Sequence, residues 1–168
     1  MEQWMKDGFL YYIAGALLVL AYSLLWFLDA PAGIQLLRYI GGGILVVGII
    51  LIILPRFTFR SKGKPGKGKD WTETTIIVDT GIYAVVRHPL YLGWLLAYVA
   101  LILLSQHWLT AIIGIPGMVC VYLISRQEDN RLVEKFGDDY KHYMQKVPRM
   151  NLLDGVIRLI RRRKGERK

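Results

Sequence analysis

The chain has 168 residues, 54% of them hydrophobic, and 22 Lys+Arg against 13 Asp+Glu give a formal net charge of +9. Such apolar content excludes an ordinary soluble domain and predicts a single integral membrane domain over residues 1–168, while basic residues clustered beside apolar runs favour anionic headgroups over a nucleic-acid backbone. One cysteine, Cys120, excludes an internal disulfide, and His88, His107 and His142 stand too far apart for metal-ligand spacing, so no metal is expected.

The first apolar run, about 9–28, is 20 residues long. At about 1.5 Å per residue it matches a bilayer core of roughly 30 Å, and its length argues against a cleaved signal peptide. Asp29–Gly33 reads as a tight turn into a second span, about 33–54, making an antiparallel hairpin. Gly41, Gly42 and Gly43 in that span permit a neighbouring helix to approach closely.

Pro55 is expected to end the second span and open a cytosolic loop over 55–88. Its first part, RFTFRSKGKPGKGK, is basic and glycine-rich and lacks the GxxxxGK[ST] spacing of a phosphate loop. The β-branched TTIIV at Thr74–Val78 reads as a short extended segment before the turn Asp79-Thr80-Gly81.

The stretch Gly81–Gly93, GIYAVVRHPLYLG, gathers Arg87, His88, Pro89 and Tyr91. A proline biases the preceding residue away from helix and suits the first helical position, so His88 is expected in extended or turn geometry with Pro89 opening the third span, about 90–104. A basic turn that anchors the span to headgroups is the plainer reading of Arg87 and His88. Ser105-Gln106-His107 turns into a fourth span, about 108–125, which Pro116 is expected to kink. Positive charge gathers in 56–69 and after Arg126, which predicts both termini and the C-terminal part, 126–150, in the cytosol.

Beyond Ser125 the sequence turns polar. Glu128–Phe136 is expected to be helical, Gly137 to end that helix, and Asp138 or Asp139 to cap another that stops at Pro148, with Tyr140 and Tyr143 on one face. The tail, 151–168, sets Leu152, Leu153, Val156, Ile157 and Ile160 against Arg158 and Arg161–Arg163, an amphipathic basic helix expected in the interface.

GIYAVVRHPLYLG, followed after one apolar hairpin by Glu128, FGDDYKHY and VPR, resembles the isoprenylcysteine carboxyl methyltransferase family and its relatives, the phospholipid N-methyltransferases, over roughly Thr75–Arg149. The resemblance implies an all-α integral membrane enzyme with about four transmembrane helices, whose cytosolic C-terminal helical segment completes a pocket for S-adenosylmethionine. It also implies a lipid-like or prenylated acceptor, a carboxylate or an amine, that enters from the bilayer.

Carried over by position, the family's cofactor residues fall on Thr75, Ile76, Ile77, Val78, Tyr83, His88, Pro89, Leu90, Tyr91 and Glu128. Strand-like backbone can read an adenine edge, a carboxylate can meet an ammonium or ribose hydroxyls, and aromatic faces tolerate a sulfonium. In the carboxyl methyltransferases an arginine usually stands four residues before the glutamate; that place is Ile124, and the nearest basic residue, Arg126, is turned about 200° around a helix. Arg126 and Glu128 are the candidate catalytic residues, with Arg126 a clamp for the acceptor. The family's proline after the VP motif is replaced by Met150–Leu153. Two other readings are an NADPH-dependent reductase of the sterol-reductase type, which normally needs a longer chain, and a non-catalytic membrane module in which Tyr83, His88 and Glu128 are freely exchangeable.

Overall fold

A computed structural model describes residues 2–28, 33–62 and 76–165. The described chain is helical throughout its regular parts: α1 (Glu2–Phe27), α2 (Gln35–Lys62), a 3-10 turn at Gly81–Ala84, α3 (Pro89–Ser105), α4 (Trp108–Phe136), α5 (Asp138–Lys146) and α6 (Leu152–Gly165). The expected all-α class holds. The turn at 29–32, most of the basic loop and the predicted cofactor residue Thr75 lie outside the described residues.

Three helices are long and apolar enough to cross a membrane, over Gly8–Phe27, Gln35–Thr58 and Trp108–Phe136. The remaining expected span is α3, apolar but only 17 residues long. At about 1.5 Å per residue it reaches roughly 25 Å, short of a core near 30 Å.

Two local expectations are corrected. Pro55 does not end α2, which continues to Lys62. A proline forfeits one ladder bond, but Pro55 is fully buried and the Thr58 hydroxyl donates to the Leu54 carbonyl at 3.2 Å within the same turn. Past the polarity change at Ser125, α4 runs on to Phe136 through good helix formers, so the fourth span and the expected helix over Glu128–Phe136 are one continuous helix. Neither Asp138 nor Asp139 caps α5: Gly137, at φ +62°, takes the cap position, and both acids sit in the first turn, where they interact favourably with the positive end of the helix dipole.

Contacts divide the chain into two compact units. The first comprises Met1–Ile50 and Tyr91–Gln127. Here α2 packs on α3 through small residues: a Cβ on Gly41 would stand 3.0 Å from Leu103 Cβ and 3.2 Å from the Ala100 carbonyl, and one on Gly48 3.1 Å from the Gly93 carbonyl. Gly42 and Gly43 have open space, so only the first of the three neighbouring glycines serves a close approach. Buried Tyr98 donates its hydroxyl to the Ala14 carbonyl, and its ring fills the place a side chain at Gly117 would take. At the α3–α4 turn the Gln106 side chain accepts from Ile34 N–H at 2.7 Å and donates to its carbonyl at 2.9 Å.

The second unit comprises Leu51–Leu90 and Glu128–Lys168. Its core is Tyr140, Tyr143 and Val147, packed by Ile77, Leu132, Val133, Phe136 and Met144. The two tyrosines do share a face, with ring centroids 5.6 Å apart. Asn151 caps α6, its side-chain oxygen accepting from Asp154 N–H at 3.1 Å.

Candidate functional site

Pro89 opens α3, so Arg87 and His88 are held outside the helix as the sequence predicts. Their backbone N–H groups donate to the Pro148 and Arg149 carbonyls at 3.0 and 3.1 Å. This short pairing fixes both side chains against the end of α4. There Asp129, 1% exposed, receives them.

The Asp129 carboxylate is met on both oxygens. Arg87 Nη1 donates to Oδ1 at 2.9 Å, the Tyr140 hydroxyl donates to Oδ1 at 2.9 Å, and His88 Nε2 stands 2.8 Å from the same atom. Arg149 Nε donates to Oδ2 at 2.7 Å. A buried carboxylate persists only where cations and donors replace its water, and this one joins four stretches of chain. Burial, and then the charge of Asp129, pushes the Tyr140 hydroxyl well above the ordinary tyrosine range. That keeps it a neutral donor.

Arg87 and His88 are 8% and 6% exposed, so the plainer reading of a turn facing lipid headgroups is overturned. The carboxylate bonded to His88 is that of Asp129, the residue after the candidate Glu128 and about 100° further round the helix. Glu128 instead takes both bonds from Arg131 Nη2, at 2.8 and 2.6 Å, and its charge bears on the Tyr83 hydroxyl. Tyr83 is buried, and burial raises its pKa far above the usual value. Its carbonyl accepts from the Tyr143 hydroxyl at 2.6 Å.

Beside this cluster in the same unit lies a groove of about 680 Å³ lined by Ile76, Ile77, Asp79, Phe136, Asp139, His142, Tyr143 and Lys146. The stretch 76–79 is non-helical, with Ile76, Ile77 and Asp79 on the groove and Val78 buried. Of the other predicted residues, Val78 and Pro89 are buried, Leu90 is half-buried, Tyr91 bonds the Tyr11 hydroxyl in the first unit, and Arg126 is exposed. Sequence reasoning missed Asp129 and the parts that Tyr140 and Arg149 play around it. The one available signal was an acidic residue beside Glu128 just past an apolar run.

Comparison with known proteins bears out the resemblance read from the motifs. Residues 69–134 match the model of the isoprenylcysteine carboxyl methyltransferase family. A methanethiol S-methyltransferase of Mycobacterium tuberculosis is 27% identical over 129 residues, covering 74% of this chain and 52% of that protein. Methanethiol S-methyltransferase 1 of Bradyrhizobium diazoefficiens is 33% identical over 67 residues, 39% of this chain and 22% of the relative. A protein-S-isoprenylcysteine O-methyltransferase of Schizosaccharomyces pombe is 33% identical over 76 residues, 44% and 31% of the two chains. The chain thus spans between about a fifth and a half of the length of these relatives. No solved structure gives a significant match.

Proposed function

From the family match over residues 69–134, we propose that this protein is an S-adenosylmethionine-dependent methyltransferase embedded in a membrane, acting on an acceptor with a lipid-like or prenyl tail. The observation that carries the reading is that, of the family's described cofactor positions, Ile76–Val78, Tyr83, His88–Leu90 and Glu128 belong to one compact unit, Tyr91 falling in the other, and that Ile76 and Ile77 line a groove in that unit. Non-helical backbone at Ile76, Ile77 and Asp79 suits an adenine edge, the Phe136 and Tyr143 rings suit an adenosyl group, and the Asp79 and Asp139 carboxylates suit a sulfonium or ammonium. The donor set therefore fits the cofactor.

When bound, S-adenosylmethionine supplies an electrophilic methyl group. The chain's residues have positioning and water exclusion to perform, with no nucleophile of their own required. The family's positions give Glu128 the cofactor's ammonium or ribose hydroxyls, although Glu128 does not line the groove, and Tyr83 acts through Tyr143, a lining residue whose hydroxyl donates to its carbonyl. His88 acts through Asp129, holding the start of α3 against α4 rather than moving a proton. Arg126, exposed and out of the family's register, is the candidate acceptor clamp. The acceptor atom is a carboxylate or amine by the motif reading, and the thiol relatives add a thiolate. Both termini and the groove face the cytosol in this proposal, because the basic segments lie on that side.

Calorimetry on the solubilised protein decides the cofactor: S-adenosylhomocysteine binds and NADPH does not, and Glu128→Gln weakens binding by about 1–3 kcal/mol. NADPH binding alone would install the reductase reading, and no binding of either the non-catalytic one. Radiolabelled methyl transfer to prenylcysteine carboxylates, phosphatidylethanolamine, long alkanethiols and short soluble analogues then ranks the acceptors. Short analogues methylated as well as the lipids would refute entry from the bilayer.

A further inference from the structure

Helix α6 carries two different apolar faces. At about 100° per residue, Leu152, Gly155 and Leu159 share one side, while Leu153, Val156, Ile157 and Ile160 share another, roughly a quarter-turn or more away. The first side is docked. Gly155 is buried against the Val85 carbonyl so closely that a Cβ would overlap it, and Arg158 Nη1 donates to the Gln145 carbonyl at 3.2 Å while its Nε pairs with Asp154 at 2.8 Å.

The second side is bare. Leu153 is 77% exposed, and Val156, Ile157 and Ile160 are between 41% and 50% exposed. Four large apolar side chains in one stripe need a cover, and docking by the other face leaves α6 no means of turning them inward. The charge beside them says what the cover is. Residues 151–168 hold seven basic and two acidic residues, and one of those acids, Asp154, is already paired with Arg158. Exposed Arg161 and Lys164 flank the stripe.

We propose that α6 is a strap that binds an anionic membrane surface through Leu153, Val156, Ile157 and Ile160 and, through the Gly155–Val85 contact, steadies the Arg87–His88 segment that meets Asp129. Val85 lies two residues before Arg87, whose N–H and that of His88 are bonded to the Pro148 and Arg149 carbonyls just upstream of α6. A lipid hold on α6 therefore bears on both partners of that pairing. A basic amphipathic helix gains roughly fivefold in partitioning for each Lys or Arg near an anionic surface, and its apolar stripe sets the depth. The inference does not depend on the reaction the protein catalyses.

The test uses the full chain in nanodiscs of phosphatidylcholine with and without phosphatidylglycerol. An environment-sensitive fluorophore at Leu153→Cys, in a Cys120→Ala background, is expected to shift to the blue in the anionic discs, and Arg161→Glu with Lys164→Glu to cancel the shift. Hydrogen exchange in the peptide spanning 85–88 is expected to slow by about tenfold in the same discs for the unmodified chain, a comparison that needs no substitution. Ile157→Asp with Ile160→Asp should abolish that slowing while helicity is kept. Equal fluorescence in both lipids, or the same blue shift produced by a soluble acidic peptide in neutral discs, would overturn the membrane as the partner. A shift without any change in exchange at 85–88 would overturn the strap.

Discussion

His88 Nε2 stands 2.8 Å from Asp129 Oδ1, joining the residue before α3 to the last turns of α4 across 41 positions of sequence. Arg87, Tyr140 and Arg149 converge on the same carboxylate, so one acidic side chain ties the start of α3, the end of α4, α5 and the approach to α6. The motif RHP therefore works as a brace.

Removing the centre of that brace should cost more than removing the carboxylate beside it. Asp129→Ala leaves buried Arg87 without its counter-charge, and breaking a buried pair from one side costs about 3–5 kcal/mol. Glu128→Gln, whose partner Arg131 is mostly exposed, should change stability by less than about 1 kcal/mol. Thermal unfolding of both variants in detergent checks the contrast, and equal losses would refute it.

The two tyrosines of α5 should separate as well. Tyr140→Phe removes a hydrogen bond to a charged group and is expected to cost about 1.5–3 kcal/mol, whereas Tyr143→Phe removes a neutral one to the Tyr83 carbonyl, about 0.5–1.5 kcal/mol. Denaturant titration of the single variants should return that order.

Alkaline pH should unfold the second unit. Burial raises Tyr83, Tyr140 and Tyr143 above the ordinary value of 10.0. The unfolded chain then loses these protons before the folded one, so their contribution is fully present below pH 10.0 and falls as pH rises through and beyond that value. Tyrosinate absorbance from these residues should appear together with loss of helical circular dichroism. Ionisation near the ordinary value with helicity intact would contradict it.

The α2–α3 seam makes a prediction from space alone. Gly41→Leu forces a side chain into Leu103 and the Ala100 carbonyl and should destabilise by about 1–3 kcal/mol, while Gly42→Ala, facing open space, should be neutral or gain up to about 1 kcal/mol. Unfolding in mild detergent distinguishes them.

Much of this was legible along the chain because its causes are local. The start of α3 at Pro89 follows from the sterics of a proline ring on its predecessor, the positive φ of Gly137 from the missing Cβ, and the long helices from runs of apolar residues. The shared face of Tyr140 and Tyr143 follows from helical spacing. What tertiary structure alone decided is which of two adjacent acids is buried. Glu128 and Asp129 are equivalent in sequence, but only one azimuth of α4 meets Arg87, His88, Tyr140 and Arg149, and the desolvation of a carboxylate is repaid only there. The same holds for Gly155 on Val85: a glycine becomes irreplaceable because of a neighbour that arrives from a distant part of the chain.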